Sequence, residues 1–336
     1  MAKVLLETRD LTIGYRNEKE DKLLGVELNL KLSKGSFVAL LGPNGSGKST
    51  LIRSISGLLE TLKGQVMING KLLSEYTNTQ RAKNISIVLT TSITSPGLLV
   101  FDVVAYGRFP YTNWLGKLNH TDEQIIDESL ALVDMLGFKY RKLNTLSDGE
   151  RQRVMIAKAL AQQSDIMILD EPTAHLDLIN RVEIMKLLRK LAHTQKRAIL
   201  ISTHELDLAM QSADILWLMR ADKKISVGAP EDLIINQSMQ EVFAQSSVDF
   251  DHLSGMFKIK HQINSQMHFV SDDAQIALWT KKAMEKIGIA LSEDINNENT
   301  IHYLAAQAIW KVKINGVEGQ FSSSADLVEF VSSTNI

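Results

Sequence analysis

Gly42-Pro43-Asn44-Gly45-Ser46-Gly47-Lys48-Ser49 is the stretch whose reading decides the fold. The octet has the spacing G-x-x-x-x-G-K-[ST] of a phosphate-binding loop. An apolar run, Phe37-Val38-Ala39-Leu40-Leu41, leads into it and predicts a buried strand. Thr50-Leu51-Ile52-Arg53-Ser54-Ile55-Ser56 leads out and predicts a helix, with Gly57 as its stop. The glycines let the backbone close around an anion, while the loop N–H groups and the helix dipole point at it. Lys48 then reaches the β- and γ-phosphates of a nucleotide, and the Ser49 hydroxyl binds Mg²⁺. The bland alternative is a glycine-rich turn between two elements, and the strand–loop–helix context argues against it.

Further along, Ile166-Met167-Ile168-Leu169 predicts a second buried strand, ending in Asp170-Glu171. A carboxylate at such a strand end holds Mg²⁺ in P-loop proteins, which assigns Asp170 to the metal. Glu171 then lies near the γ-phosphate, where it can orient the attacking water or take its proton. An ordinary acidic turn is the competing reading, and the phosphate loop upstream favours the functional one.

Leu146-Ser147-Asp148-Gly149-Glu150-Arg151-Gln152-Arg153 makes the reading specific. With it the chain resembles the ATP-binding subunit of an ABC transporter. The block is close to the family signature L-S-G-G-Q, with Asp148 and Glu150 as departures. Val154, Ile156, Ala157, Leu160 and Ala161 follow at helical spacing. Ser147 suits any helix N-cap, but that explains Ser147 alone. The resemblance implies that Ser147, Asp148, Gly149 and Glu150 face ATP held by the opposite subunit, with Ser147 and the Gly149 backbone in contact. The Asp148 side chain is expected to turn away from the phosphate.

The same resemblance assigns further residues. Tyr15 matches the aromatic that stacks on adenine, or is a strand tyrosine packed on the surface. Gly42, Pro43, Asn44, Gly45, Ser46, Gly47, Lys48, Ser49 and Thr50 hold the phosphates. Asp177, after Ala174-His175-Leu176, matches the carboxylate of the loop linking two sites across a dimer; a helix N-cap is equally open. His204, after the strand Ala198-Ile199-Leu200-Ile201-Ser202, matches the histidine that contacts the γ-phosphate. His175 is a loop residue. Thr90 stands where the family has a glutamine near Mg²⁺; its hydroxyl is on a shorter stem. Lys48, Glu171 and His204 are the expected catalytic residues, ATP and Mg²⁺ the expected cofactors.

The chain has 336 residues, 44% of them apolar, a net charge of −2 and no cysteine. That excludes a disulfide framework and a thiolate metal site, and gives no global pointer to nucleic acid. The first residues meet a charge too early for a signal peptide, and no apolar run approaches bilayer length. The expected fold is α/β: a P-loop NTPase (RecA-like) core with a flanking antiparallel β region, roughly 4–33 and 64–69. A helical subdomain at about 90–157 is inserted, giving one ATPase domain over 1–255. Residues 256–336 predict a small α+β appendage of open role. In it, Met267-His268-Phe269-Val270 reads as a strand, and Asp272 or Asp273 as the cap of a helix with Ile276, Trp279, Ala283 and Ile287 on one face. Asn315-Gly316 reads as a type I′ hairpin turn, and Ser323 as a second cap before Leu327, Phe330 and Val331.

The run Gly107-Arg108-Phe109-Pro110-Tyr111-Thr112-Asn113-Trp114-Leu115-Gly116 resembles the ATPases that serve ferric siderophore, haem and cobalamin permeases. The expectation is an ATPase on the cytoplasmic face of the inner membrane, peripheral, energising an importer of an iron chelate; a haem or cobalamin importer, an exporter ATPase and a non-transport ABC ATPase are the alternatives. Its expected partners are permease subunits, a second copy of itself and, indirectly, a periplasmic or surface solute-binding protein, with no nucleic acid.

Overall fold

The computed structural model describes residues 2–18, 20–89, 97–113, 116–243, 248–251, 256–294 and 297–334. Thr90, Trp114 and Leu115 lie outside them. The chain divides into two units, 1–244 with 250–256, and 257–336 with 245–249.

The first unit is built on a six-stranded sheet in the order Ile225–Gly228, Ile215–Met219, Phe37–Leu41, Ala198–Ser202, Ile166–Asp170, Ile85–Val88. All neighbours are parallel except the pair Ile215–Met219 and Ile225–Gly228. Every residue of the strands 37–41, 166–170 and 198–202 is buried. Up to the Asp170 and Ser202 that close two of them, those runs are apolar because a parallel sheet is covered on both faces. Phe37–Leu41 and Ile166–Asp170 are both neighbours of Ala198–Ser202, so the phosphate loop, Asp170-Glu171 and His204 leave the same edge of the sheet side by side. That common edge is where open α/β sheets place ligands.

An antiparallel sheet flanks it: Lys22–Leu28, Val4–Tyr15, Lys63–Ile68 and Lys71–Leu72 in order, with Lys31–Ser33 also on Val4–Tyr15. Leu6, Leu11, Ile13 and Ile68 from this sheet share one core with Leu51 and Ile52 of the helix Lys48–Ile55. Burying that helix between two sheets fixes the loop before it. Between the strands 85–88 and 166–170 run the helices Val100–Ala105, His120–Leu132 and Asp148–Ala161, packed on one another. The last of these crosses the boundary expected near residue 157 without a break. Arg108, 4% exposed, ties these elements together. Its Nε donates to Asp122 Oδ1 at 2.9 Å, and its Nη1 to the Ala161 carbonyl at 2.6 Å and Gln163 Oε1 at 3.0 Å.

The second unit is a five-stranded sheet in the order Ile289–Ser292, Ser265–Val270, Thr300–Leu304, Ile309–Ile314, Val317–Phe321. The helices Ala274–Glu285 and Ser324–Ser333 contribute Met284, Leu327 and Val331 to a core with Met267, Ile301 and Val312. Asp273, not Asp272, caps the first helix, accepting from the Gln275 and Ile276 N–H groups. Asn315 and Gly316 both have positive φ (47° and 81°), as a type I′ turn requires. One expectation fails. Ile276, Ala283 and Ile287 pack on the core, but Trp279 is 59% exposed, with the Lys282 ammonium 4.5 Å over its ring. Thr280 fills the inward place instead, because Trp310 needs an acceptor there: its Nε1 donates to Thr280 Oγ1 at 2.9 Å. Among the described residues no helix is long and apolar enough to cross a membrane.

Candidate active site

The loop 42–47 turns on glycines that no other residue replaces without strain. Gly47 has φ 106°, and a Cβ there would lie 2.9 Å from Leu24 Cβ; Gly42 is packed as closely on Met219. Lys48 starts the helix, and its side chain folds back over the loop. Its Nζ donates to the Gly42 carbonyl at 2.8 Å and the Pro43 carbonyl at 3.1 Å. Burial holds the Lys48 ammonium below the usual lysine range, against the opposing pull of Glu171 and Asp170.

Ser49, the next residue, donates from Oγ to Asp170 Oδ1 at 3.2 Å. Ser202 Oγ donates to the same oxygen at 2.5 Å and accepts from the Glu171 N–H at 2.9 Å. Ser202 thus fixes both members of the Asp170-Glu171 pair from the neighbouring strand. Glu171 itself has φ 50°, a left-handed backbone uncommon for a non-glycine residue, which turns its side chain back toward the loop. There His204 Nε2 donates to Glu171 Oε1 at 2.6 Å. The donor set at Ser49 and Asp170, a hydroxyl and a carboxylate oxygen, suits a hard, oxygen-seeking cation such as Mg²⁺.

A cleft of about 430 Å³ joins these groups, with Tyr15, Asn44, Lys48, Ser49, Glu171 and His204 in its wall. Tyr15 is 46% exposed, and its hydroxyl lies 3.1 Å from Thr50 Oγ1. The exposed ring leaves a face free for a nucleobase. Lys22 and Leu24 also line the cleft, and the sequence reading missed both. No local pattern marks them. Antiparallel pairing puts Lys22 opposite Tyr15, a contact made far from any motif.

The signature residues do not line this cleft. Ser147 caps the helix Asp148–Ala161 in a capping box: its Oγ accepts from the Glu150 N–H, and Glu150 Oε2 accepts from the Ser147 N–H at 2.8 Å and Oγ at 3.0 Å. These bonds, the backbone one foremost, hold the Glu150 carboxyl below the usual carboxylate range. Asp148 turns aside to Arg151, 3.6 Å away. Gly149 faces Asn180, so closely that a Cβ would lie 2.6 Å from Asn180 Oδ1. Asp177 caps the helix Leu178–Thr194, accepting from the Asn180 N–H at 2.8 Å and Nδ2 at 3.0 Å. His175 has φ 65° in the loop before it.

The family model for the ABC transporter matches residues 26–174. An uncharacterized ABC transporter ATP-binding protein of Methanocaldococcus jannaschii is 37% identical over 76% of this chain and 87% of its own length. The iron(3+)-hydroxamate import ATP-binding protein FhuC of Bacillus subtilis is 36% identical over 71% of this chain and 87% of its own. Among solved structures, the dimeric structure of a bacterial ABC transporter cassette superposes with TM-score 0.58 at 26% identity, over 67% of this chain and 99% of that one. Likeness at 36% and 37% identity over 87% of the length of such relatives, in a chain that has a P-loop with a carboxylate pair beside it, leaves one conclusion: the chain belongs to the ABC transporter ATP-binding proteins and is an ATPase.

Proposed function

We propose that this chain energises a membrane importer for iron chelates, and that Glu171 is its general base. The observation that carries the catalytic part is the 2.6 Å contact between His204 and Glu171 at the mouth of the cleft that holds Lys48 and Ser49. Lys48 neutralises the β- and γ-phosphate oxygens of ATP. Ser49 and Asp170 hold Mg²⁺, which when bound spreads the charge developing on those oxygens. Glu171 orients the attacking water and accepts its proton, while His204 holds the carboxylate in place and faces the γ-phosphate.

Two copies act together. Ser147 and the Gly149 N–H of one meet the nucleotide held by the other, which is why the signature stands outside the cleft of a single chain. The Asp177 loop links the two sites. The exposed aromatic residues Tyr106, Phe109 and Tyr111 support a docking face for the permease subunits. The chain then works peripherally, on the cytoplasmic face of the membrane, and meets the solute-binding protein only through the permease. Iron-chelate cargo rests on likeness to the hydroxamate import protein, because no residue of this chain touches the cargo.

The test is uptake in cells whose sole copy is wild type or Glu171→Gln, offered labelled ferric siderophore, haem and cobalamin separately. Loss of ferric siderophore uptake alone supports the reading. Loss of haem or cobalamin uptake instead moves the cargo, and no loss at all removes the importer assignment.

A further inference from the structure

The second unit leaves one face of its sheet without a helix, and that face is not a plain solvated surface. Register places its side chains. Ser292, His268, Thr300, Lys313 and Glu318 are successive partners across the five strands, and His302, Lys311 and Gln320 form the row beside them. Residues opposite one another in a ladder share a face. The core residues Met267, Ile301 and Val312 alternate with them and point the other way.

A cavity of about 420 Å³ opens on this polar face, lined by Thr300, His302, Lys311, Lys313 and Gln320. It falls in the size range of small-molecule sites, roughly 300–1,000 Å³. Outside the lining, on the same row as Thr300, lies His268, whose ring centroid is 6.0 Å from that of His302. His268 is only 9% exposed, and its Nδ1 is buried without a hydrogen-bond partner. The Oγ of Ser292, its neighbour on the same row, is likewise buried and unpartnered. A buried polar atom without a partner is costly. The two sit side by side on the row that reaches the cavity at Thr300.

The donor inventory says what. The imidazole of His302, the hydroxyl of Thr300, the ammonium groups of Lys311 and Lys313 and the carboxamide of Gln320 line it, and Glu318 is the one acidic side chain in the lining, opposite Lys313 on the edge strand. Lys311 and Lys313 form no ion pair with a described residue. A metal ion is disfavoured: the two lysines repel it, and no group of three His, Cys, Asp or Glu able to hold one exists among the described residues. An anion is favoured on both counts, since hydroxyl, imidazole and ammonium groups line one cavity and charge-assisted bonds to oxyanions are strong.

We propose that this sheet face is a receptor site for a small organic anion bearing phosphate or carboxylate groups, separate from the nucleotide cleft. Lys311 and Lys313 neutralise it, Thr300 and His302 orient it, and His268, packed beside His302, backs that orientation. The site goes beyond the importer reading and does not depend on it.

The experiment is titration calorimetry on the full chain with its P-loop saturated by ADP, using inorganic phosphate and citrate as probes. The expected result is binding of one equivalent of at least one probe. In Lys311→Ala/Lys313→Ala the affinity falls about tenfold or more, the loss of a charge-assisted bond, while ADP affinity is unchanged. Phosphate alone or citrate alone then names the anion class. His268→Gln should weaken binding too; were it to misfold, the lysine variant, altered only at exposed side chains, still decides. Failure of both probes to bind at millimolar concentration, or equal binding by the lysine variant, overturns the proposal.

Discussion

His204 Nε2 and Glu171 Oε1 meet at 2.6 Å although 32 residues separate them, because each follows a strand and the two strands, Ala198–Ser202 and Ile166–Asp170, are direct neighbours. Glu171 reaches the contact from a left-handed backbone, so the arrangement is held at some conformational cost.

Glu171→Gln should keep that geometry and ATP binding but remove the proton acceptor. Turnover is expected to fall by about 10²–10⁴-fold, the usual contribution of a general base. Steady-state hydrolysis beside an ATP-binding titration checks it, and unchanged turnover would remove Glu171 from the role.

Gly14 carries the strand that bears Tyr15 past Lys22. Its φ is 156°, and a Cβ there would lie 2.0 Å from the Lys22 carbonyl oxygen. Gly14→Ala should spread the pairing and draw Lys22 out of the cleft wall, weakening nucleotide affinity by about 1–3 kcal/mol, the scale of such backbone strain. Calorimetric titration with ADP reads it; an unaltered affinity would mean the Tyr15–Lys22 pairing does not shape the site.

The Ser147–Glu150 box has a pH signature. The folded Glu150 carboxyl titrates below the ordinary glutamate value of 4.5, so its contribution is complete above that value and is lost as pH falls through the folded one. Glu150→Gln should lose less stability on acidification in this window, seen by comparing melts above and below pH 4.5. Ser147→Ala, which removes the cap itself, should cost about 1 kcal/mol at neutral pH. Identical acid sensitivity in wild type and Glu150→Gln contradicts the assignment.

Arg108 and Asp122 are each 4% exposed in their side chains and bonded at 2.9 Å. Arg108→Met leaves the Asp122 carboxylate buried without its cation, for an expected loss of about 3–5 kcal/mol. Denaturant unfolding measures it. The double variant Arg108→Met/Asp122→Leu should recover part of that loss, and failure to recover any would show that the carbonyl of Ala161, not Asp122, is the partner that counts.

In the second unit, Thr280→Val is nearly isosteric and strands the Trp310 N–H, which now donates to Thr280 Oγ1. About 1–3 kcal/mol should disappear from the stability of this unit. Hydrogen exchange of the strand Ile309–Ile314 reports it locally, and unaltered protection there would discount the bond.

The parts of the site legible in the sequence are those that are contiguous. Gly42–Ser49 and Asp170-Glu171 carry their chemistry and their flanking strands in a few residues, so local pattern suffices. Ser202, which fixes Asp170 and Glu171 together, looks like the end of an apolar strand; only the pairing Asp170↔Ser202 gives it work. Lys22 and Leu24 escape for the same reason. Trp279 misleads in the other direction. Helical periodicity puts it on the core face, but it is a large ring with a polar edge, and the inward place beside it goes to Thr280 because Trp310 needs a partner. Periodicity finds a stripe; which rung of the stripe is filled depends on what waits across the core.

Asn180 touches Gly149 with its amide and bonds to Asp177 with the same group. One side chain therefore braces both the start of the signature helix and the loop that precedes the helix Leu178–Thr194. A bulkier residue at position 149 would therefore press on the same amide that holds Asp177, so the start of one helix and the cap of the next are tuned by a single side chain.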